Sequence, residues 1–314
     1  MQVLYLKGNN MRHITISGLF VLSLFCTANG QSKVALRVPM SPGKYVMVQE
    51  TSMTTTTQMD QFPQPIVQSM QMLVEMATEV SPTNDSGEYT IKGRFTRIKQ
   101  SIGDDMSYDS QNEADSSSPL AILGSMLDSE ITITMSKNQD IVDIAGMDKI
   151  WDKMAQNPQI APMMAQLKES FGDNMLKGLV SQGNKSLPYH EVGVGESWQQ
   201  KTKMPIPFVG RAEIQYDGTL SSYDADAKQA KIAFTSEMVS SGEEKKMNMG
   251  IPATVKDMKM TQKGVTNVDL STGIANTDMD QVMSMTMVIS SPQGDQKVTV
   301  SQEGSVTATI SKVE

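Results

Sequence analysis

Met283-Ser284-Met285-Thr286-Met287-Val288-Ile289 sets an apolar side chain at every second position. A strand sends successive side chains to opposite faces, so a period of two marks a strand with one face buried. The same beat recurs along the chain. Tyr89, Ile91 and Phe95 stand against Thr90, Lys92, Arg94 and Thr96. Ile131, Ile133 and Met135 alternate with Thr132 and Thr134, and Ile214, Tyr216 and Leu220 with Glu213, Gln215 and Asp217. Val298, Val300, Val306, Ala308 and Ile310 alternate mainly with Thr and Ser. Between the runs lie turn-forming clusters, Asn84-Asp85-Ser86-Gly87, Ser271-Thr272-Gly273 and Ser291-Pro292-Gln293-Gly294-Asp295. Connections this short join antiparallel neighbours.

One central stretch changes period. Met147, Ile150, Trp151 and Met154 fall at i, i+3, i+4 and i+7, the apolar stripe of a helix. Ile160, Met163, Met164, Leu167 and Phe171 continue it after Asn157-Pro158, and Met175, Leu176, Leu179 and Val180 follow. A shorter apolar piece, residues 120–127, reads as a further helix. A sheet with one apolar face must cover it. The expected fold is therefore α+β and mostly antiparallel, with curved sheets or a half-barrel packed on a central helical insert. The expected parts are a signal peptide at 1–30, an amino-terminal β half at 31–146, the insert at 147–185 and a carboxy-terminal β half at 186–314. The halves echo one another: Gly43-Lys44-Tyr45 opens one and Gly195-Glu196-Ser197-Trp198 the other.

Composition narrows the function class. The chain has 314 residues, 27 basic against 35 acidic, and a formal charge of −8. That balance excludes a nucleic-acid partner, which needs clustered Lys and Arg to displace counterions. Aromatics make up 5%, so the core is aliphatic, with 27 methionines as filler. Met11-Arg12-His13, the apolar run 14–25 and Ala28-Asn29-Gly30 have the order of a signal peptide cleaved after Gly30. The run is shorter than the roughly 20 residues of a membrane-spanning helix, so no span is expected in the mature chain. Cleavage removes Cys26, the one cysteine, and leaves His190 as the one histidine. A rival reading, lipidation at Cys26, is weakened by the bulky Phe25 before it. An exported protein, periplasmic or secreted, is expected.

These features together resemble a bacterial exported envelope family known as a domain of unknown function. The resemblance rests on Gly43-Lys44-Tyr45, the Thr-rich run 51–57, the strand 89–98, the hairpin 136–144 and Gly193-Val194-Gly195-Glu196-Ser197-Trp198. It implies no catalytic residue. More distantly, the strand–helix–strand order is similar to half-barrel lipoproteins and lipoprotein carriers, and this implies a curved sheet over acyl chains.

No motif assembles a catalytic centre. His190, in Pro188-Tyr189-His190-Glu191, reads as a solvated loop histidine. Ser41-Pro42-Gly43-Lys44 has Ser-x-x-Lys spacing without the helix start that acyl enzymes need. Gly193-Val194-Gly195 leads into Trp198 and not into the helix of a dinucleotide loop. Asp224/Asp226 and Asp278/Asp280 lack the Gly and Glu of a calcium loop. Methionine is the anomaly: Met-x-Met recurs at 70/72, 247/249 and 258/260 and in the triple Met283, Met285 and Met287. Thioethers select Cu(I), but residues two apart on a strand face the same way, and a Met-lined core or pocket gives equal spacing. The expected role is non-enzymatic: binding or scaffolding in the envelope with a lipid, another apolar ligand or an envelope protein as partner. No cofactor is expected. The alternatives are Cu(I) binding at the triple and a hydrolase using acidic residues only.

Overall fold

The alternating runs build one antiparallel sheet of 13 strands. The computed structural model describes residues 33–62, 64–112, 119–156, 186–206, 210–240, 245–248, 252–291 and 294–313. The strands are β1 (Gly43–Met59), β2 (Ile66–Val80), β3 (Tyr89–Ile102), β4 (Met106–Asp109), β5 (Glu130–Met135), β6 (Ile141–Ala145), β7 (Ser197–Ile206), β8 (Gly210–Asp224), β9 (Gln229–Ser240), β10 (Lys245–Asn248), β11 (Pro252–Asp269), β12 (Ile274–Ser291) and β13 (Gly294–Lys312). Their order across the sheet is β6-β5-β3-β2-β1-β13-β12-β11-β9-β8-β7, with β4 beside β3 and β10 beside β11. Residues Ser32–Glu314 form one compact unit. Among the described residues no pairing joins β6 to β7, so the sheet is open.

Most sequence neighbours pair in hairpins; β3 pairs with β5 past the short β4, β9 pairs with β11 past the short β10, and one long-range pairing makes the sheet whole. β1 pairs with β13 from Tyr45↔Lys312 to Met59↔Val298, joining two meanders through the first and last strands. The turns use the expected chemistry. Asn84 Oδ1 accepts from the backbone N–H of Ser86 and Glu88 at 3.1 and 2.8 Å, and Gly273 adopts φ 72°.

Four register shifts interrupt the pairing, at Glu75/Met76 opposite β3, between Leu220 and Ser222, between Val255 and Asp257, and at Thr134/Met135 opposite β6. Each adds a residue and reverses which parity points inward. On β3 the inward set is Tyr89, Ile91, Gly93 and Phe95 before Thr96, then Ile98, Gln100 and Ile102 after it. The strict alternation expected for Thr96 therefore ends at a bulge, where its hydroxyl donates to Glu75 O and Oε1 at 3.2 and 2.9 Å.

Of the expected helical insert, the described residues hold only the first part. The described helix, α1 (Met147–Ala155), buries Met147, Ile150 and Trp151 as its stripe requires. It packs at one edge, against Phe95, Met126, Ile131, Ile133 and Ile141, and the sheet is not wrapped around it. The reason is local: α1 starts one residue after edge strand β6, and Gly146 at φ 96° turns the chain straight back. A Cβ on Gly146 would strike the Glu130 carbonyl. The expected continuation over 157–185 lies outside the described residues. The apolar piece at 120–127 is a 3-10 helix, Pro119–Met126. Among the described residues no helix is long and apolar enough to cross a membrane.

Candidate functional site

Directly paired residues share a face, so the register assigns every strand position to one side. The inward positions of β1, β2, β3, β5, β8, β9, β11, β12 and β13 hold no ionisable acid or base except Lys312, at the last pair of β13. Their polar members are Gln, Thr, Ser and Tyr. The acids and bases of these strands point outward, as Glu50, Glu75, Lys92, Lys263, Asp280 and Glu303 do. An outward trough of about 520 Å³ carries Glu213, Asp217, Glu237 and Lys263. With Lys259 pairing Glu237 at 3.1 Å, it reads as solvated outer surface.

The sheet curls about the inward face. Tyr89, Ile91, Ile133 and Met135, from one end of the strand order, line the same cavity as Ile232, Phe234 and Val268 from the other. The cavity measures about 410 Å³, within the 300–1,000 Å³ usual for small-molecule sites. Its floor is Ile310, Ala275 and Thr277. The segment before β1 closes one side: Val34 pairs with Val192, Leu36 is buried, and Ser41 N–H donates to Thr272 O at 2.7 Å. Arg37 is the one cationic side chain of the lining. Its Nε and Nη2 donate to Leu187 O at 3.2 and 3.1 Å, and its guanidinium lies 3.6 Å from the centre of the Tyr189 ring.

The aromatic wall depends on close approach. Gly218 faces Trp198 on one side and Phe234 on the other. The Trp198 ring fills the space that a Cβ on Gly218 would need, and its indole N–H donates to Ser186 O at 2.7 Å. Phe234 stacks on Tyr216 with ring centres 5.4 Å apart. Tyr89 donates to Gln139 Oε1 at 2.7 Å. Burial pushes the phenols of Tyr89 and Tyr216 up, so both stay neutral.

Beyond the cavity the inward face becomes methionine-rich. Met283 sits opposite Met260, Met285 opposite Met258, and Met287 opposite Val255. Met260 is also opposite Met238. Met283 and Met285 pack on a cluster of Ala212, Ile214, Met238, Val255 and Met258. The structure thus joins two of the triple to three methionines that spacing alone had not connected to it. Met70 and Met72 share this face; Met249 lies outside the described residues.

The remaining sequence candidates do not converge. His190 is 63% exposed, with Nε2 3.8 Å from Glu196. Ser41 Oγ donates to Ser271 O. Asp224 caps its own turn by accepting from Asp226 and Ala227 N–H. Asp278 and Asp280 share the outward face of β12. Among the described residues no three His, Cys, Asp or Glu side chains group as metal ligands.

A family model described as a family of unknown function (DUF6263) matches residues 86–275, more than half of the chain. The chain belongs to DUF6263. The DUF6263 match begins at the turn before β3 and ends as β12 begins, leaving β1, β2 and β13 outside it. No curated protein matches the chain. Among solved structures, one of lipid–protein interactions in lipovitellin is similar at 12% identity and a TM-score of 0.45, over 88% of this chain and 26% of that one. The chain thus spans about a quarter of the lipovitellin chain. A mutant porin of Rh. blastica is similar at 10% identity and a TM-score of 0.21, over 84% of this chain and 99% of the porin.

Proposed function

We propose that this protein is an exported, non-enzymatic binding protein of the bacterial cell envelope that holds a lipid or similar apolar molecule on the inward face of its curled sheet. The observation that supports this reading most is the separation of charge. Nine strands direct their acids and bases outward, Lys312 excepted, and leave an apolar face around a cavity of about 410 Å³ with Arg37 as its one cation. Methionine suits that role, because an unbranched thioether repacks around ligands of different shape. The signal-like segment at 1–30 supports export.

Native mass spectrometry after mild extraction tests the binding. The protein is expected to retain a lipid, or to take one up once stripped; a chain that does neither overturns the reading. Amino-terminal sequencing of protein recovered from its own cells tests export. A start at Gln31 is expected, and an intact leader would refute it. A second reading, Cu(I) binding, is supported by the adjacent thioethers of Met238, Met258, Met260, Met283 and Met285. Titration against a Cu(I) chelator separates the two, since Met283→Ile/Met285→Ile/Met287→Ile would weaken a copper site. Equal affinity of the triple variant and the parent protein removes those residues as ligands.

A further inference from the structure

We infer that the ligand is an uncharged lipid bearing an ester or alcohol group, as an acylglycerol does, and that glutamine amides on the inward face recognise its oxygens. This rests on the apolar-ligand reading above and names the ligand class. The pairings align one transverse row across the sheet: Tyr216, Ser236, Gln262, Gln281, Gly304 and Met53. The row crosses the apolar face between the cavity and the methionine-rich region. It is polar in its middle and carries no charge.

The amides in and near this row are held by weak partners. Gln281 Nε2 donates to Met53 Sδ at 2.9 Å, and Gln100 Nε2 donates to Met70 Sδ at 3.3 Å. A thioether is a poor acceptor. An ester carbonyl is a better one, so a ligand that brings its own oxygen improves the hydrogen bond each amide makes. Gln262 Oε1 accepts from Ser236 Oγ at 2.8 Å, which fixes that amide's orientation. A Cβ on Gly304 would strike Ser52 O and Met53, so glycine there lets β1 approach closely.

An anionic headgroup seated on this row finds no counter-charge among its members. Desolvating a carboxylate or phosphate without a counter-charge is strongly unfavourable. Arg37 is not a member of the row: its guanidinium donates to Leu187 O and to Asn138 O at 3.3 Å and lies on the face of Tyr189, a ring 65% exposed to water. The neutral phenols of Tyr89 and Tyr216 add dipoles to a wall whose one cation is Arg37.

The test uses the delipidated mature chain and displacement of Nile red, a neutral apolar dye. Dioleoylglycerol is compared with oleate and with dioleoyl-phosphatidylglycerol above about pH 7, where oleate is ionised. Dioleoylglycerol is expected to displace the dye at concentrations at least about tenfold lower than either anion. Gln281→Leu with Gln100→Leu is expected to weaken dioleoylglycerol about two- to tenfold, as loss of ordinary hydrogen bonds does, while dye binding and far-ultraviolet dichroism stay unchanged. Gln262→Lys, which puts a cation in the row, is expected to raise the affinity for oleate. Anions that bind the parent protein as tightly as dioleoylglycerol, or a double variant that binds it unchanged, overturn the neutral-lipid inference and leave the apolar site standing. Failure of the dye and of all three lipids overturns the apolar site itself.

Discussion

Two side chains show how single residues hold the ends of this sheet. Arg97 leaves β3 to form paired bonds with Asp109 at 3.2 and 2.7 Å, tying β4 to the sheet. The Arg97 guanidinium, through its hydrogen bonds, holds the Asp109 carboxyl below the usual carboxylate range. A depressed carboxyl stabilises the fold above its unfolded pKa and loses that contribution as pH falls through its folded value. Asp109→Asn is therefore expected to lower the melting temperature at pH 7, and the gap to the parent should close below about pH 4, which thermal melts across pH will check. Trp198 does more, being 6% exposed in the cluster of Leu36, Leu220 and Ile232. Trp198→Ala is expected to cost about 3–5 kcal/mol in urea unfolding, the range for removing a buried large aromatic. Gly218→Val should displace the same ring and fail similarly.

At the scale of the element, the bulges decide which side chains reach the site. Deleting Thr96 would remove the extra residue, keep Phe95 opposite Met76 and Arg97 opposite Glu75, and leave Ile98 and Gln100 inward. We expect that deletion to give a soluble protein with the same inward set and a lowered midpoint, whereas Thr96→Ala removes only its two bonds to Glu75 and should cost less than about 1.5 kcal/mol. Soluble expression and urea midpoints of the pair distinguish them. These shifts had a trace in the sequence. Inward apolar residues otherwise two apart jump by three at Phe95/Ile98, Ile141/Ile144, Leu220/Tyr223 and Val255/Met258, and each jump coincides with a bulge. The strands, their turns and the apolar face were thus readable from alternation, because burial on one side imposes a period of two. The row from Tyr216 to Met53 was not, since it depends on how residues far apart in sequence align across strands. Nor was the position of α1, which the single residue Gly146 sets.

For the whole molecule the decisive contact is β1 with β13. Fifteen residue pairs link them, and β13 pairs fifteen more with β12. Nearly all the contacts that unite the two meanders thus span the length of the sequence, and topologies of this kind fold in milliseconds to seconds. Removing residues 294–314 is expected to abolish cooperative unfolding and yield aggregate, and a separate peptide of those residues, added during refolding, should restore a soluble sheet by strand addition. Recovery without the peptide would show that the meanders stand alone. The same arrangement sets a hazard during synthesis. A nascent chain lacking its final ribbon segment presents two long, unsatisfied rims of backbone amides and carbonyls flanking a greasy trough, an invitation to stick to its neighbours. Such a polypeptide is expected to aggregate unless it is kept unfolded until the last piece is in place.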